Sequence, residues 1–283
     1  MKPAAFDYLR PESVDEAATL LTEYGGDAKV LAGGQSLVPL LNFRMLRPSI
    51  LIDINRLAAL DFVEEHGGGL RIGALTRHHT LETSPLVRER FPMLAAAMAH
   101  VAHLAIRNRG TIGGSLSHAD PAAELPMLAR LLDAEIGTSA GRHAADGFFL
   151  GPLTTALAED ELVTEIVLPS LPSKTGWGFE EFSLRVGDFA FAAVAATVTA
   201  EGGKITKARF AAMGVGETPL RLRAVEAAMT GNIFTPNLVA EAAQRARDSV
   251  DPSSDLRAST DFRRHLVGVL TERALEAAWA RAQ

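Results

Sequence analysis

The chain contains no cysteine. That excludes a disulfide, a thiolate nucleophile and any thiolate-held zinc or iron–sulfur cluster within it. If this polypeptide serves an electron-transfer chain with iron–sulfur centres, another polypeptide must carry them. No apolar run approaches the ~20 residues that cross a bilayer as a helix, and the start, Met1-Lys2-Pro3-Ala4-Ala5-Phe6-Asp7, lacks the apolar core of a signal peptide. The expectation is a cytoplasmic protein with no membrane span. Basic residues are not in excess either: a net charge of −6 argues against nucleic acid as a partner. No Gly-x-Ser-x-Gly elbow occurs, so serine hydrolase chemistry has no warrant. What remains is an ordinary globular balance over 283 residues, enough for one large or two modest domains with a substantial core.

Against these absences stand two glycine-rich stretches, Leu31-Ala32-Gly33-Gly34-Gln35-Ser36-Leu37 and Thr111-Ile112-Gly113-Gly114-Ser115-Leu116. Each pairs two glycines with a nearby small hydroxyl residue. Paired glycines let backbone approach a ligand closely and can take positive φ. Successive N–H groups in such loops form an anion-binding concavity. Either stretch alone is explained equally well as a pair of tight turns; two together suggest a diphosphate held from both sides. Neither ends in the Gly-Lys-Ser/Thr of a Walker loop, and Gly33-Gly34 departs from the Gly-x-Gly-x-x-Gly of a Rossmann turn. Asp53 lies 20 residues after Gly33, at a Rossmann ribose position, but lacks the fingerprint that would give that spacing meaning.

The surrounding pattern predicts a small α/β lobe over roughly residues 1–57. Ser13-Val14-Asp15-Glu16 fits a capping box; Ala17, Leu20, Leu21 and Tyr24 form a helical stripe ended by Gly25-Gly26. Ala28–Ala32 and Leu51–Ile54 read as strands, the former running into the first glycine stretch. A second lobe, about 58–173, opens with a strand at Leu70–Ala74 and a helix start at Ser84-Pro85. One helical face follows from Pro92 through Leu94, Ala95, Met98, Val101, Ala102 and Ala105. A further helix is expected from Pro121, with Asp120 as its cap, to Leu132, then a strand at Leu162–Leu168. The Pro169–Pro172 break marks the boundary to a C-terminal part, 174–283. There Trp177–Leu184, Phe191–Ala200 and Ile205–Met213 read as strands and about 221–230, 236–250 and 255–281 as helices.

The run Ile106-Arg107-Asn108-Arg109-Gly110-Thr111-Ile112-Gly113-Gly114-Ser115-Leu116-Ser117-His118-Ala119-Asp120-Pro121-Ala122-Ala123-Glu124 closely resembles the second FAD loop of the molybdenum hydroxylase flavoprotein subunits. These are the medium subunits of the aerobic carbon monoxide dehydrogenase and xanthine dehydrogenase family. Ala32–Leu37 resembles the family's first FAD loop, and Gly187-Asp188-Phe189-Ala190 its segment near the isoalloxazine. The resemblance spans nearly the whole chain. It implies an α+β protein: a two-lobed FAD-binding fold of the vanillyl alcohol oxidase (PCMH) type, followed by a three-stranded antiparallel sheet with helices. It further implies that both loops grip the FAD pyrophosphate, that Glu124 accepts from the adenosine ribose, that Leu162 meets the adenine and that Phe189 lies against the flavin ring. Arg107 and Arg109 would add positive potential, or simply flank a turn as solvated charges. At Glu181 the family frequently has lysine. The partners implied are an iron–sulfur small subunit with 2Fe–2S clusters and a large subunit with the molybdenum cofactor, assembled as a dimer of heterotrimers. Electrons would reach FAD here and leave to NAD⁺, a quinone, dioxygen or another carrier. A self-sufficient flavin oxidase would need a substrate pocket that the sequence does not reveal, and a cofactor-free assembly protein would not need intact glycines in both loops.

The histidines raise a metal question: His78-His79, His100-x-x-His103, and His118 with Asp120. Adjacent histidines on a strand point to opposite faces, and no carboxylate pattern completes a site around His100 and His103. The expectation is no metal in this chain and no catalytic side chain, with His118 supporting the flavin site.

Overall fold

The computed structural model describes residues 1–283. Its first sheet is parallel, with Ile50–Asp53 between Asp7–Leu9 and Ala28–Leu31. The central strand is wholly buried because Ile50 and Ile52 pack into the small lobe's core with Ala17 and Leu21 of the Val14–Tyr24 helix. Ser13 Oγ caps that helix by accepting from the Glu16 N–H at 3.0 Å. Glu16 reaches back to the N–H of Glu12 rather than that of Ser13, so the box closes one residue early.

The second sheet is antiparallel, in the order Val63–His66, Gly69–Gly73, Val163–Leu168, Glu135–Thr138, Arg142–Ala144. Helices Pro92–Met98, Ile112–His118 and Glu124–Leu131 contribute to the core around it. As the Ser84-Pro85 pattern predicts, Ser84 Oγ caps a helix over Pro85–Arg90.

Beyond the proline break, Thr175–Phe182, Ala192–Glu201 and Lys204–Met213 form an antiparallel sheet. A two-residue strand, Leu220–Arg221, adds a fourth member to the expected three. Both faces of Ala192–Glu201 are buried. Ala193 and Ala195 join the core of the second lobe, while Val194, Ala196 and Val198 face the helices Pro236–Asp248 and Thr260–Arg281. Small alternating side chains allow layers on both sides to approach.

Several local expectations are corrected. The apolar run from Pro92 is not one helix. It ends at Met98, and the chain turns through Ala102 at φ +43° before a short helix, Leu104–Arg107. The helix expected from Pro121 starts at Glu124; Asp120 Oδ1 instead closes a turn by accepting from the Ala122 N–H at 2.8 Å. His78 and His79 begin a helix, His78–Thr83, rather than lying on a strand. The last helix starts at Thr260 because Ser259 caps it, so the four residues from 255 to that cap stay outside.

Gly176 and Gly178 lie where the final helix crosses the sheet. A Cβ on Gly178 would overlap the Ala274 carbonyl oxygen and come within 2.7 Å of its carbon. Helix backbone thus rests directly on strand backbone. Gly178→Ala should cost about 1–3 kcal/mol, the usual penalty of overpacking. The control is Gly147→Ala, which meets nothing within 4 Å and should be near neutral. Urea denaturation of both variants checks this, and equal midpoints would remove the seam as a constraint.

Candidate functional site

The two glycine stretches, distant in sequence, touch. The Ala28–Leu31 strand delivers the chain to Gly33, which is buried. A Cβ there would overlap the Arg109 carbonyl oxygen and lie 2.8 Å from Gly110 Cα. Gly34 takes φ +72°, and its carbonyl accepts from the Val38 N–H at 3.0 Å, starting the helix Leu37–Asn42. Gln35 Nε2 donates to the Gly33 carbonyl at 2.9 Å. No protein acceptor takes the N–H groups of Gly33, Gly34, Gln35 and Ser36, and the exposed Ser36 hydroxyl caps nothing.

The second stretch is built differently. Thr111 Oγ1 caps the Ile112–His118 helix by accepting from the Gly114 N–H at 3.1 Å. Ile112 donates to the Thr76 carbonyl at 3.1 Å, Gly113 to Ala74 at 2.9 Å and Ser115 to Thr111 at 3.0 Å. Its N–H groups are therefore consumed in holding the loop, and neither Gly113 nor Gly114 has positive φ. Its glycines serve close packing instead: a Cβ on Gly113 would lie 2.6 Å from that of Ala74, and one on Gly114 would lie 2.8 Å from Thr111 Oγ1. Gly114 faces Ala32 across the junction, 4.0 Å from a Cβ built on it.

A polar relay invisible to motif reading fixes the two loops together. Arg77 donates to the Arg109 carbonyl and, at 2.8 Å, to Asn55 Oδ1. Asn55 Nδ2 donates to the carbonyls of Ala32 at 2.7 Å and Leu31 at 3.2 Å, and to Asp53 Oδ1 at 2.6 Å. Asp53 also accepts from the Tyr8 hydroxyl. Burial opposes its charge, yet these hydrogen bonds outweigh burial and hold its carboxyl below the usual range. Asp53 is thus a brace, which disposes of the ribose position suggested by its spacing. Arg107 is structural as well: it pairs with Glu82 at 2.9 Å and donates to the carbonyls of Val101 and Ala102.

His78 stands behind the second loop. Its ring is buried against Gly110, where a Cβ would lie 2.8 Å from Cε1, and neither ring nitrogen finds a partner. Burial pushes its pKa down to about 4.

Farther along lie His118, in the last turn of its helix, and Glu124, at the first position of the next. Burial, with a contribution from Asp120, pushes the Glu124 carboxyl up to about 7. Leu162 is buried in the small lobe's core, and its N–H and carbonyl are both bonded to Ser139. Phe189 is 60% exposed, on a loop whose Gly187 presses on the Ala102 carbonyl. Arg257 donates to the Phe189 carbonyl at 3.0 Å. A role for the Phe189 ring in core packing is therefore excluded. Nowhere do three His, Asp or Glu side chains converge as metal ligands, and no helix is long and apolar enough to cross a membrane.

Two juxtaposed glycine loops at the seam of two lobes, with a C-terminal sheet packed on the core of the second, define a class of cofactor-binding subunit. Residues 4–171 match the FAD binding domain in molybdopterin dehydrogenase, and residues 177–278 match the CO dehydrogenase flavoprotein C-terminal domain. The chain is 40% identical to the carbon monoxide dehydrogenase medium chain of Hydrogenophaga pseudoflava, covering 99% of each. It is 41% identical to the 6-hydroxypseudooxynicotine dehydrogenase complex subunit alpha of Paenarthrobacter nicotinovorans, covering 100% of this chain and 97% of that one. The solved carbon monoxide dehydrogenase of H. pseudoflava superposes with a TM-score of 0.96 at 42% identity, covering 99% of each chain. Quinoline 2-oxidoreductase from Pseudomonas putida 86 gives 0.95 at 36%, covering 100% of both. The chain belongs to the FAD-binding medium subunits of the molybdenum hydroxylases, and is an oxidoreductase subunit with their PCMH-type fold.

Gly114→Val sets a branched side chain against Thr111 Oγ1 and toward Ala32; we expect flavin content to fall at least tenfold with helix content kept, while Ser36→Ala, which leaves four backbone donors intact, loses less than about tenfold. Flavin absorbance per chain and circular dichroism decide it, and full occupancy in Gly114→Val would make that glycine a mere turn residue. For His78, the folded ring resists a proton that the unfolded chain accepts below its ordinary pKa. Stability is therefore lost as pH falls from about 6.5 toward 4, by at most about 1.4 kcal/mol per pH unit. His78→Leu should flatten that part of the acid profile; denaturation midpoints across the window measure it, and an unchanged slope would acquit His78.

Proposed function

We propose that this chain holds one FAD non-covalently and is the electron-transfer subunit of a heteromeric molybdenum hydroxylase. In this reading it receives electrons from the 2Fe–2S clusters of a small partner subunit. A large subunit with the molybdenum cofactor oxidises the substrate, in a dimer of heterotrimers located in the cytoplasm. The electrons leave to NAD⁺, a quinone, dioxygen or another acceptor. The observation that carries the proposal is the run of four unpaired N–H groups, Gly33 to Ser36, beside the junction of Ala32 with Gly114.

A dianionic pyrophosphate fits such a run, because backbone donors bind it without ordering long side chains. The second loop's share comes from the N-terminal end of its helix and the Ser115 hydroxyl, since its N–H groups are engaged. We assign the pyrophosphate to Leu31–Leu37 and Thr111–Ser115, the ribose to Glu124 with support from His118, the adenine to Leu162 and the flavin ring to Phe189. The Leu162 backbone, already paired with Ser139, leaves mainly its side chain and a second carbonyl lone pair for the adenine. We place the FAD-binding part at 1–173, with lobes of about 1–57 and 58–173, and the C-terminal part at 174–283. The bound isoalloxazine supplies the redox chemistry. The chain's own residues bind, orient and exclude water, and none acts as a catalytic acid or base.

Acid extraction of the purified chain should release one equivalent of FAD and leave none on peptide. The FAD-loaded chain alone should not oxidise an organic substrate. FMN in place of FAD would overturn the diphosphate reading, and robust turnover by the isolated chain would favour a self-sufficient dehydrogenase.

A further inference from the structure

A hairpin in the second lobe places a leucine where its backbone calls for glycine. Strands Phe149–Gly151 and Thr154–Thr155 pair antiparallel, with Pro152 and Leu153 between them. A proline ring fixes φ at about −65°, and the next residue, Leu153, takes φ +54°. That is the pattern of a type II turn, whose third residue is ordinarily glycine or asparagine. A bulky side chain there meets the steric cost of left-handed backbone. Six non-glycine residues have such a φ, and Leu153 alone among them carries a large apolar side chain.

The strain gains no packing within the chain. The Leu153 side chain is 55% exposed and joins none of the three cores. The tip is nonetheless held in place. Phe149 is buried and meets Phe148 edge-on at 5.2 Å, and the Ala156 N–H donates to the Phe148 carbonyl at 2.8 Å. Thr154–Thr155 packs on the Ile112–His118 helix. The Leu153 N–H donates at 3.2 Å to the carbonyl of Ala119, the buried left-handed residue that ends that helix. Glycine would relieve the turn without loss to any core, so the leucine side chain answers to something outside the chain.

The place of the tip names the occupant. The helix it rests on begins at the second glycine loop, where the pyrophosphate is assigned, and ends at His118, assigned to the ribose. Seven helical residues span only about 10 Å, so one extended dinucleotide reaches both ends. We propose that Leu153 is a further FAD-binding residue, whose apolar side chain closes over the bound cofactor beside the His118 end of this helix and excludes water from it. The inference rests on the FAD reading above. The gain is apolar surface removed from water, and it offsets the strain only when the cofactor is bound.

The experiment is FAD titration of the flavin-stripped full chain, followed by flavin fluorescence, with urea midpoints of the flavin-free protein measured alongside. Leu153→Gly and Leu153→Asn both suit left-handed backbone and remove the apolar side chain. We expect each to keep or raise the midpoint and to weaken FAD binding about tenfold, the worth of burying roughly half a leucine side chain. Leu153→Met, still apolar, should bind FAD within about twofold of the unaltered chain. Unchanged affinity in the Gly and Asn variants would overturn the proposal. So would a midpoint that falls together with affinity, which marks a structural role, or a tenfold loss in Leu153→Met. Normal FAD binding with indifferent variants sinks this inference alone, whereas no FAD binding by the unaltered chain sinks the reading beneath it.

Discussion

The backbone of one lobe lies directly on the backbone of the other at Gly33, where any side chain would strike the Arg109 carbonyl. Everything proposed for the site depends on that approach. It brings Ala32 opposite Gly114, and it gives Arg77 a carbonyl to hold from the far side. Arg77 then passes the constraint through Asn55 and Asp53 to Tyr8, so the first strand of the chain is tied to a loop a hundred residues later. A relay of charge-assisted bonds in a partly buried setting is stiffer than its separate parts. Such stiffness keeps the N–H groups of Gly33 to Ser36 from collapsing onto protein acceptors.

The loops divide the labour unequally. In the first, a positive φ at Gly34 turns the backbone so that four successive N–H groups find no protein acceptor. In the second, helix geometry and the Thr111 cap use them up. Similar sequences thus serve two physical ends, one offering donors and the other a close-packed wall with a helix end behind it. The C-terminal sheet completes the arrangement by sharing its alanine face with the core of the second lobe. That shared face also buries Glu181, with Oε1 3.9 Å from His100 Nδ1 and Oε2 without a partner.

Much of this was legible in order along the chain. Ser13, Ser84 and the proline break mark boundaries by local chemistry, and the three long C-terminal strands follow from their apolar runs. Local pattern failed where a tertiary demand intervened. The run from Pro92 carries helical spacing through Ala105, yet the helix ends at Met98 and the chain turns at Ala102, where it meets Gly187 from the C-terminal part. Asp120 looks like a cap but closes a turn, because the helix waits until Glu124. Arg107 looks like a ligand for phosphate but is spent on Glu82 and two carbonyls, which no spacing rule reveals.

The sequence by itself determined the family, the two glycine loops, the lack of any thiolate-held cluster and the positions of most elements. These are properties of neighbouring residues: glycine's missing Cβ, a capping hydroxyl, a run of apolar side chains. Only the tertiary structure decided which loop keeps free donors, that Asp53 braces rather than binds, that Phe189 stands exposed and that the buried Glu181 Oε2 has no partner. Those depend on what lies across a gap from each group. Desolvation and hydrogen-bond satisfaction are set by partners distant in the chain, and residue type alone carries no record of them.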